Sequence, residues 1–147
     1  MWIRQVIAVA ALVNGLIATY LHLWKIGKVG TLSCASGAGC QTAQFSSYGW
    51  FLGIDTAMWG VVGYTLILVV AVIGTLPRHA DARWVSRSLG ALVAYGALFT
   101  IRLKYGEWVV LRTFCIWCLP SALTMAAFSA LAWADARRTA RVAVHAS

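Results

Sequence analysis

Apolar positions in this chain do not alternate with polar ones; they gather in four blocks. Val6–Trp24 is apolar apart from Asn14, Thr19 and His22, and Thr56–Leu76 carries no charge. Leu89–Leu103 is shorter and reaches spanning length only by taking in Trp84–Ser88, while Thr113–Trp133 is again free of charge. A bilayer is crossed by about 20 residues of helix. In lipid each segment must satisfy its own backbone hydrogen bonds, which leaves helices as the solution for blocks of this size. The pattern predicts an all-α membrane protein, a four-transmembrane-helix bundle forming one membrane domain over residues 1–147. Helix one is placed at about 6–24, an outer loop at 25–55, helix two at 56–76, helix three at 84–103, helix four at 113–133, and a cytoplasmic tail at 134–147. The first block is longer than a signal-peptide core and no small-x-small cleavage site follows it, so it is read as a helix.

Composition sharpens this picture. The chain is 61% hydrophobic and 11% charged, against about 25% charged in an ordinary soluble domain, and its mean hydropathy is +0.78. An N-terminus inside leaves seven basic residues on the cytoplasmic side (Arg4, Arg78, Arg83, Arg87, Arg137, Arg138, Arg141) and five outside (Lys25, Lys28, Arg102, Lys104, Arg112), which is the favoured orientation. The net charge of +8 then faces anionic lipid headgroups, and no nucleic acid is needed to account for it. Trp24, Trp50, Trp84, Trp108 and Trp133 fall near predicted helix ends, where indole rings settle at the membrane interface.

Four cysteines make two pairs. Cys34 and Cys40 lie in the outer loop, in TLSCASGAGC, where glycines relax the backbone and disulfide geometry, with Cα atoms about 4.4–6.8 Å apart, is within reach. Cys115 and Cys118 form a CxxC in FCIWCLPSAL, near the outer start of helix four, with Cys118 about 4.5 Å deeper than Cys115. Both pairs therefore fall on one side of the membrane. A helix N-terminus and a nearby cation lower a thiol pKa; Cys115 near the helix start, with Arg112 three residues earlier, meets both conditions, although Arg112 is equally well read as a snorkelling interfacial cation.

From Cys40 the chain reads CQTAQFSSYGWFLGIDTAMWGVVGY. Together with FCIWCLPSAL, and with the order of the loop cysteines, the F-S-S stretch Phe45–Ser47, the glycine-aromatic approach to helix two and the CxxC, it closely resembles the vitamin K epoxide reductase family. The resemblance implies a helix bundle around a membrane quinone of the ubiquinone, menaquinone or vitamin K type, with the CxxC beside the ring. The six-residue cysteine step is that of bacterial members, which resemble the oxidase DsbB: they reoxidise a thioredoxin-like (DsbA-like) protein and reduce quinone. The chain ends soon after helix four, so that partner is expected to be a separate protein. Ala122 stands where animal members carry a tyrosine, and Thr56 stands where they carry an asparagine four residues before Gly60, which puts epoxide reduction in doubt.

On this reading Cys34 receives the partner's thiol, Cys40 attacks Cys115, and Cys118 passes electrons to the quinone. Ser47 and Thr56 are candidates for the quinone oxygens, and Phe45 and Trp117 for the pocket walls. Asp55 is read first as an N-cap and second as a proton carrier, and His22 as an interfacial histidine or a relay. A bacterial inner membrane with the cysteines facing the periplasm is the expected location; an endoplasmic reticulum membrane is the alternative. A soft-metal carrier using thiolates as ligands, a four-thiolate zinc site, an animal-type vitamin K reductase and a structural subunit stapled by disulfides are the competing readings.

Overall fold

In the computed structural model, which describes residues 2–34 and 37–145, local sequence sets the ends of most elements. Helix α1 covers Trp2–Lys25 and the short α2 covers Gly39–Phe45. A 3-10 turn, Ser47–Gly49, leads into a hairpin of β1 (Trp50–Phe51) and β2 (Ile54–Asp55), which pair antiparallel with Phe51 opposite Ile54. Both residues of the two-residue connection have positive φ, Leu52 at 54° and Gly53 at 75°, as a hairpin turn matched to strand twist requires. Helix α3 (Thr56–Ile73) starts where the Asp55 carboxylate accepts the Ala57 N–H, satisfying a donor that a helix start leaves open. A 3-10 turn, Pro77–His79, precedes α4 (Arg83–Tyr105), which passes into a π-turn at Gly106–Val110. The last helix, α5, covers Cys118–His145.

The four long helices bury narrow stripes against one another. Ile7, Ala8 and Ala11 of α1 meet Tyr64, Ile67 and Ala71 of α3, Leu89 and Val93 of α4, and Met125, Phe128 and Ala132 of α5. Small residues bring α1 and α3 close: a Cβ on Gly60 would stand 3.3 Å from the Ala18 Cβ, the small-residue packing typical of helices in lipid. The outward faces are apolar as well, with Leu16 at 62% and Leu98 at 68% exposure, the reverse of a soluble protein. Three helical stretches, Trp2–Lys25, Thr56–Ile73 and Arg83–Val110, are long and apolar enough to cross a membrane. The second half of α5 carries Asp135, Arg137, Arg138 and Arg141, and composition does not mark that helix as a span.

One end of the bundle is closed by a buried ion pair. The Arg4 guanidinium donates to both Asp135 carboxylate oxygens, to the Gly74 and His79 carbonyls and to Ser86 Oγ, all at 2.8–3.1 Å. Ser86 Oγ also donates to Asp135 at 2.6 Å. This network joins α1, α4, α5 and the α3–α4 turn. It also explains why residues 134–145, expected as a tail, stay helical: Asp135 and Thr139, one turn apart, are buried within it.

The start of the last helix also differs from the expected residue 113. Arg112 has a positive φ of 49° and Thr113–Trp117 are not helical. Pro120 supplies the reason. It lacks an N–H and its ring clashes with the carbonyl four residues earlier, costs that vanish only in the first turn. A helix beginning at 113 would have held Pro120 in its interior; one beginning at Cys118 does not.

Candidate functional site

At the other end of the bundle the C-terminus of α1, the N-terminus of α3, the C-terminus of α4 and the N-terminus of α5 meet under the segment 26–55. Cys34 and Cys40 form a disulfide with Cα atoms 6.3 Å apart. Cys34 is half-buried and Cys40 fully buried. Cys115 and Cys118 are free thiols, Cys115 buried and Cys118 partly so, and their sulfurs lie 2.9 Å apart.

Two contacts tie the loop to the CxxC. The Trp117 indole N–H donates to the Ser33 carbonyl at 2.9 Å, next to Cys34, and the Trp117 ring packs on Tyr20 of α1. Gln44 donates from Nε2 to Cys118 Sγ at 3.6 Å. Cys40 and Gln44 are both buried and four apart on α2, so they share a helix face about 6 Å apart along the axis. A glycine at 49 makes this packing possible, because a Cβ there would collide with the Gln44 carbonyl.

Cys115 precedes α5 in a turn, and Arg112 is exposed and outside any helix. The helix N-terminus and Arg112 therefore do not act on Cys115 in the way the sequence suggests; the first residue of the helix is Cys118. The Cys115 thiol is nonetheless drawn down to about 7, first by the hydrogen bond from the Cys118 thiol, with burial working against it. Thiolate is thus easier to form at Cys115 than at an ordinary cysteine, and the thiolate is the reactive form.

Cys118 opens on a cavity of about 80 Å³ between the helices. Ile17, Leu21 and Leu103 give it apolar walls, and Thr56, Tyr64 and Ser121 bring hydroxyls. Tyr64 and Ser121 are hydrogen-bonded to each other at 2.6 Å. A cleft of about 180 Å³ continues from Thr56, Tyr64 and Ser121 between α3 and α4, past Trp59, Leu92 and Phe99. A quinone ring needs flat apolar walls and polar partners for two oxygens, and this donor set fits it. Two buried amide oxygens on cavity-lining residues, Asn14 Oδ1 and Gln44 Oε1, have no hydrogen-bond partner, and buried polar groups are ordinarily paired.

Of the residues singled out in the sequence, Thr56, Trp117 and Cys118 line this cavity. Ser47 and Phe45 do not: both are exposed, Phe45 against Trp24 and beneath the Lys25 ammonium. Asp55 lies outside the cavity lining, where it caps α3 and bonds His22 at 2.9 Å and Lys25 at 2.9 Å. Gln44, Tyr64, Ser121, Lys104 and Glu107 were not anticipated. For Asn14 a signal existed, since a carboxamide inside an apolar span is costly unless it has a role.

Loop disulfide, free dithiol and cavity thus lie together at one end of a chain whose long apolar helices make it an integral membrane protein. Residues 3–133 match the vitamin K epoxide reductase family, and the chain belongs to that family of oxidoreductases.

Proposed function

We propose that this protein is a membrane thiol oxidoreductase of four transmembrane helices that passes electrons from a reduced thioredoxin-like protein to a membrane quinone. The observation that carries the reading is the docking of an oxidised loop pair onto a reduced CxxC, at Ser33–Trp117 and Gln44–Cys118, beside a cavity. The N-terminus is inside, and both cysteine pairs face the periplasm of a bacterial envelope.

Accessibility sets the order of steps. The partner's thiolate attacks Cys34, the more exposed member of the loop pair, and Cys40 leaves as thiolate. A second partner thiol releases the partner as its disulfide, so the loop gains two electrons. Cys40 next attacks Cys115 of the oxidised helix pair, freeing Cys118; Cys34 then attacks Cys40, which restores the loop disulfide and leaves Cys115 and Cys118 reduced. A quinone held in the cavity would take two electrons and two protons from the Cys115–Cys118 dithiol, which returns to its disulfide, and would leave as quinol. Cys118 faces it, while Thr56 and the Tyr64–Ser121 pair are placed to orient its oxygens. Apolar helix walls keep soluble thiols from short-circuiting the dithiol.

Single-turnover oxidation of a reduced thioredoxin-like protein, with and without ubiquinone or menaquinone, tests this. Multiple turnovers should require quinone and fall to background in Cys118→Ser. Oxidation that stops once the protein's own disulfides are spent, whatever quinone is supplied, would sink the reading and bring the soft-metal carrier forward. A reduced partner lacking its second cysteine should be trapped on the intact loop as a mixed disulfide at Cys34, with Cys40 released as a thiol.

A further inference from the structure

A charged pair beside the dithiol has no part in the relay as described. Lys104, in the last turn of α4, donates to Glu107 Oε2 at 2.8 Å. The other carboxylate oxygen, Oε1, accepts the backbone N–H of Cys115. Glu107 is nearly sealed from solvent, its side chain 4% exposed, and Lys104 is 15% exposed. Lys104 is the one residue with a full charge among those lining the Cys118 cavity. Glu107 in turn shares a smaller pocket with Cys118 and Gln44. One carboxylate therefore holds the backbone of one cysteine and, at the same time, a cation on the cavity wall of the other.

We propose that Lys104 and Glu107 form a positioning and charge-balancing pair for the Cys115–Cys118 dithiol: Glu107 fixes the Cys115 backbone and opposes thiolate formation, while Lys104 offsets the thiolate charge and favours it. This deepens the redox reading and rests on it only in taking the dithiol as the reacting group. A carboxylate near a thiol disfavours its ionisation and an ammonium favours it, and both effects are strong where water is scarce. The repulsion from Glu107 indeed pushes the Cys115 thiol upward against the pull of Cys118. The neighbouring elements bring little other charge. α3 contributes the Tyr64 hydroxyl, α1 and α2 contribute the neutral amides Asn14 and Gln44, and Arg112 points to the exterior. His22, Lys25 and Asp55, at the outer ends of α1 and α3, are bonded to one another.

A buried ion pair is often no more than a clamp, and the sign of two substitutions separates the cases. The ultraviolet absorbance of the thiolate is followed against pH in reduced protein carrying Cys34→Ser and Cys40→Ser, so that only the helix pair titrates. Glu107→Gln keeps an oxygen for the Cys115 N–H but removes the negative charge. The midpoint should fall by about one unit, which is about tenfold more thiolate at a pH well below both midpoints. Lys104→Met should move it upward by a similar amount, and Lys104→Arg should stay near the parent. Midpoints that do not move, or that move the same way in Glu107→Gln and Lys104→Met, overturn the proposal. Should Lys104→Met fail to fold, Glu107→Gln decides alone: an unmoved midpoint is then the overturning result. Because no quinone is present, the outcome is independent of whether quinone supports turnover.

Discussion

At the Arg4 end of the bundle the guanidinium, the Asp135 carboxylate, Ser86 and Thr139 are hydrogen-bonded to one another and buried almost completely, and the polar atoms there without a partner, His79 Nδ1 and Arg138 Nε, sit at the edge of that set. At the cysteine end Cys115 is buried as deeply and Cys118 only partly, and the set is open. Two free sulfurs face each other, Asn14 Oδ1 and Gln44 Oε1 lack donors, and a cavity lies among them. A closed network joins helices and leaves no group available to react. An open one is costly, because a buried polar group without a partner loses its hydration for nothing in return, and such costs persist where there is chemistry to do. The difference separates the end that holds the bundle together from the end that works.

Three substitutions or titrations break or sharpen that contrast. The largest effect belongs to the closed end. Asp135→Ala strands the Arg4 cation in an apolar interior and should lower stability by about 3–5 kcal/mol, read as a large drop in the melting temperature in detergent. Turnover per folded molecule should be unchanged. At the open end pH should act through Cys115. Its thiol is drawn well below its usual value by the hydrogen bond from Cys118, with burial working against it. The thiolate absorbance of the reduced pair should rise through neutral pH and level off above it; a thiolate signal that appears only above about pH 9 would show that Cys118 does not hold the Cys115 thiol low. The smallest effect is expected from Tyr64→Phe, which deletes the 2.6 Å bond to Ser121. It should cost about 1 kcal/mol in stability while raising the KM for quinone more than it changes turnover at saturation.

Hydrophobic blocks made much of the fold legible, because a helix in lipid is specified by composition over a long window. The α3 start at Thr56 and the α4 range follow the blocks closely. The start of α5 was legible in principle, but in a single proline rather than in the apolar run that surrounds it. The four cysteines were legible because their chemistry is rare. Ser47 and Phe45 were not, since the 3-10 turn at Ser47–Gly49 turns the F-S-S stretch outward and no periodicity announces such a turn. The least visible feature was ion pairing. All four acidic residues of the chain have a basic partner: Asp55 with Lys25, Asp81 with Arg138, Glu107 with Lys104, and Asp135 with Arg4. Only the Lys104–Glu107 spacing is local; Arg4 and Asp135 are 131 positions apart, and only the packed helices bring them together.

The double tether of the loop also has a kinetic meaning. A disulfide held over a dithiol by Trp117 on one side and Gln44 on the other is not a reagent that has to diffuse in. Tethering of this kind removes the diffusive encounter between the two pairs. In the proposed relay the internal exchange would then be first-order and indifferent to dilution, and the concentration-dependent events would be the arrival of the proposed thiol protein and of quinone.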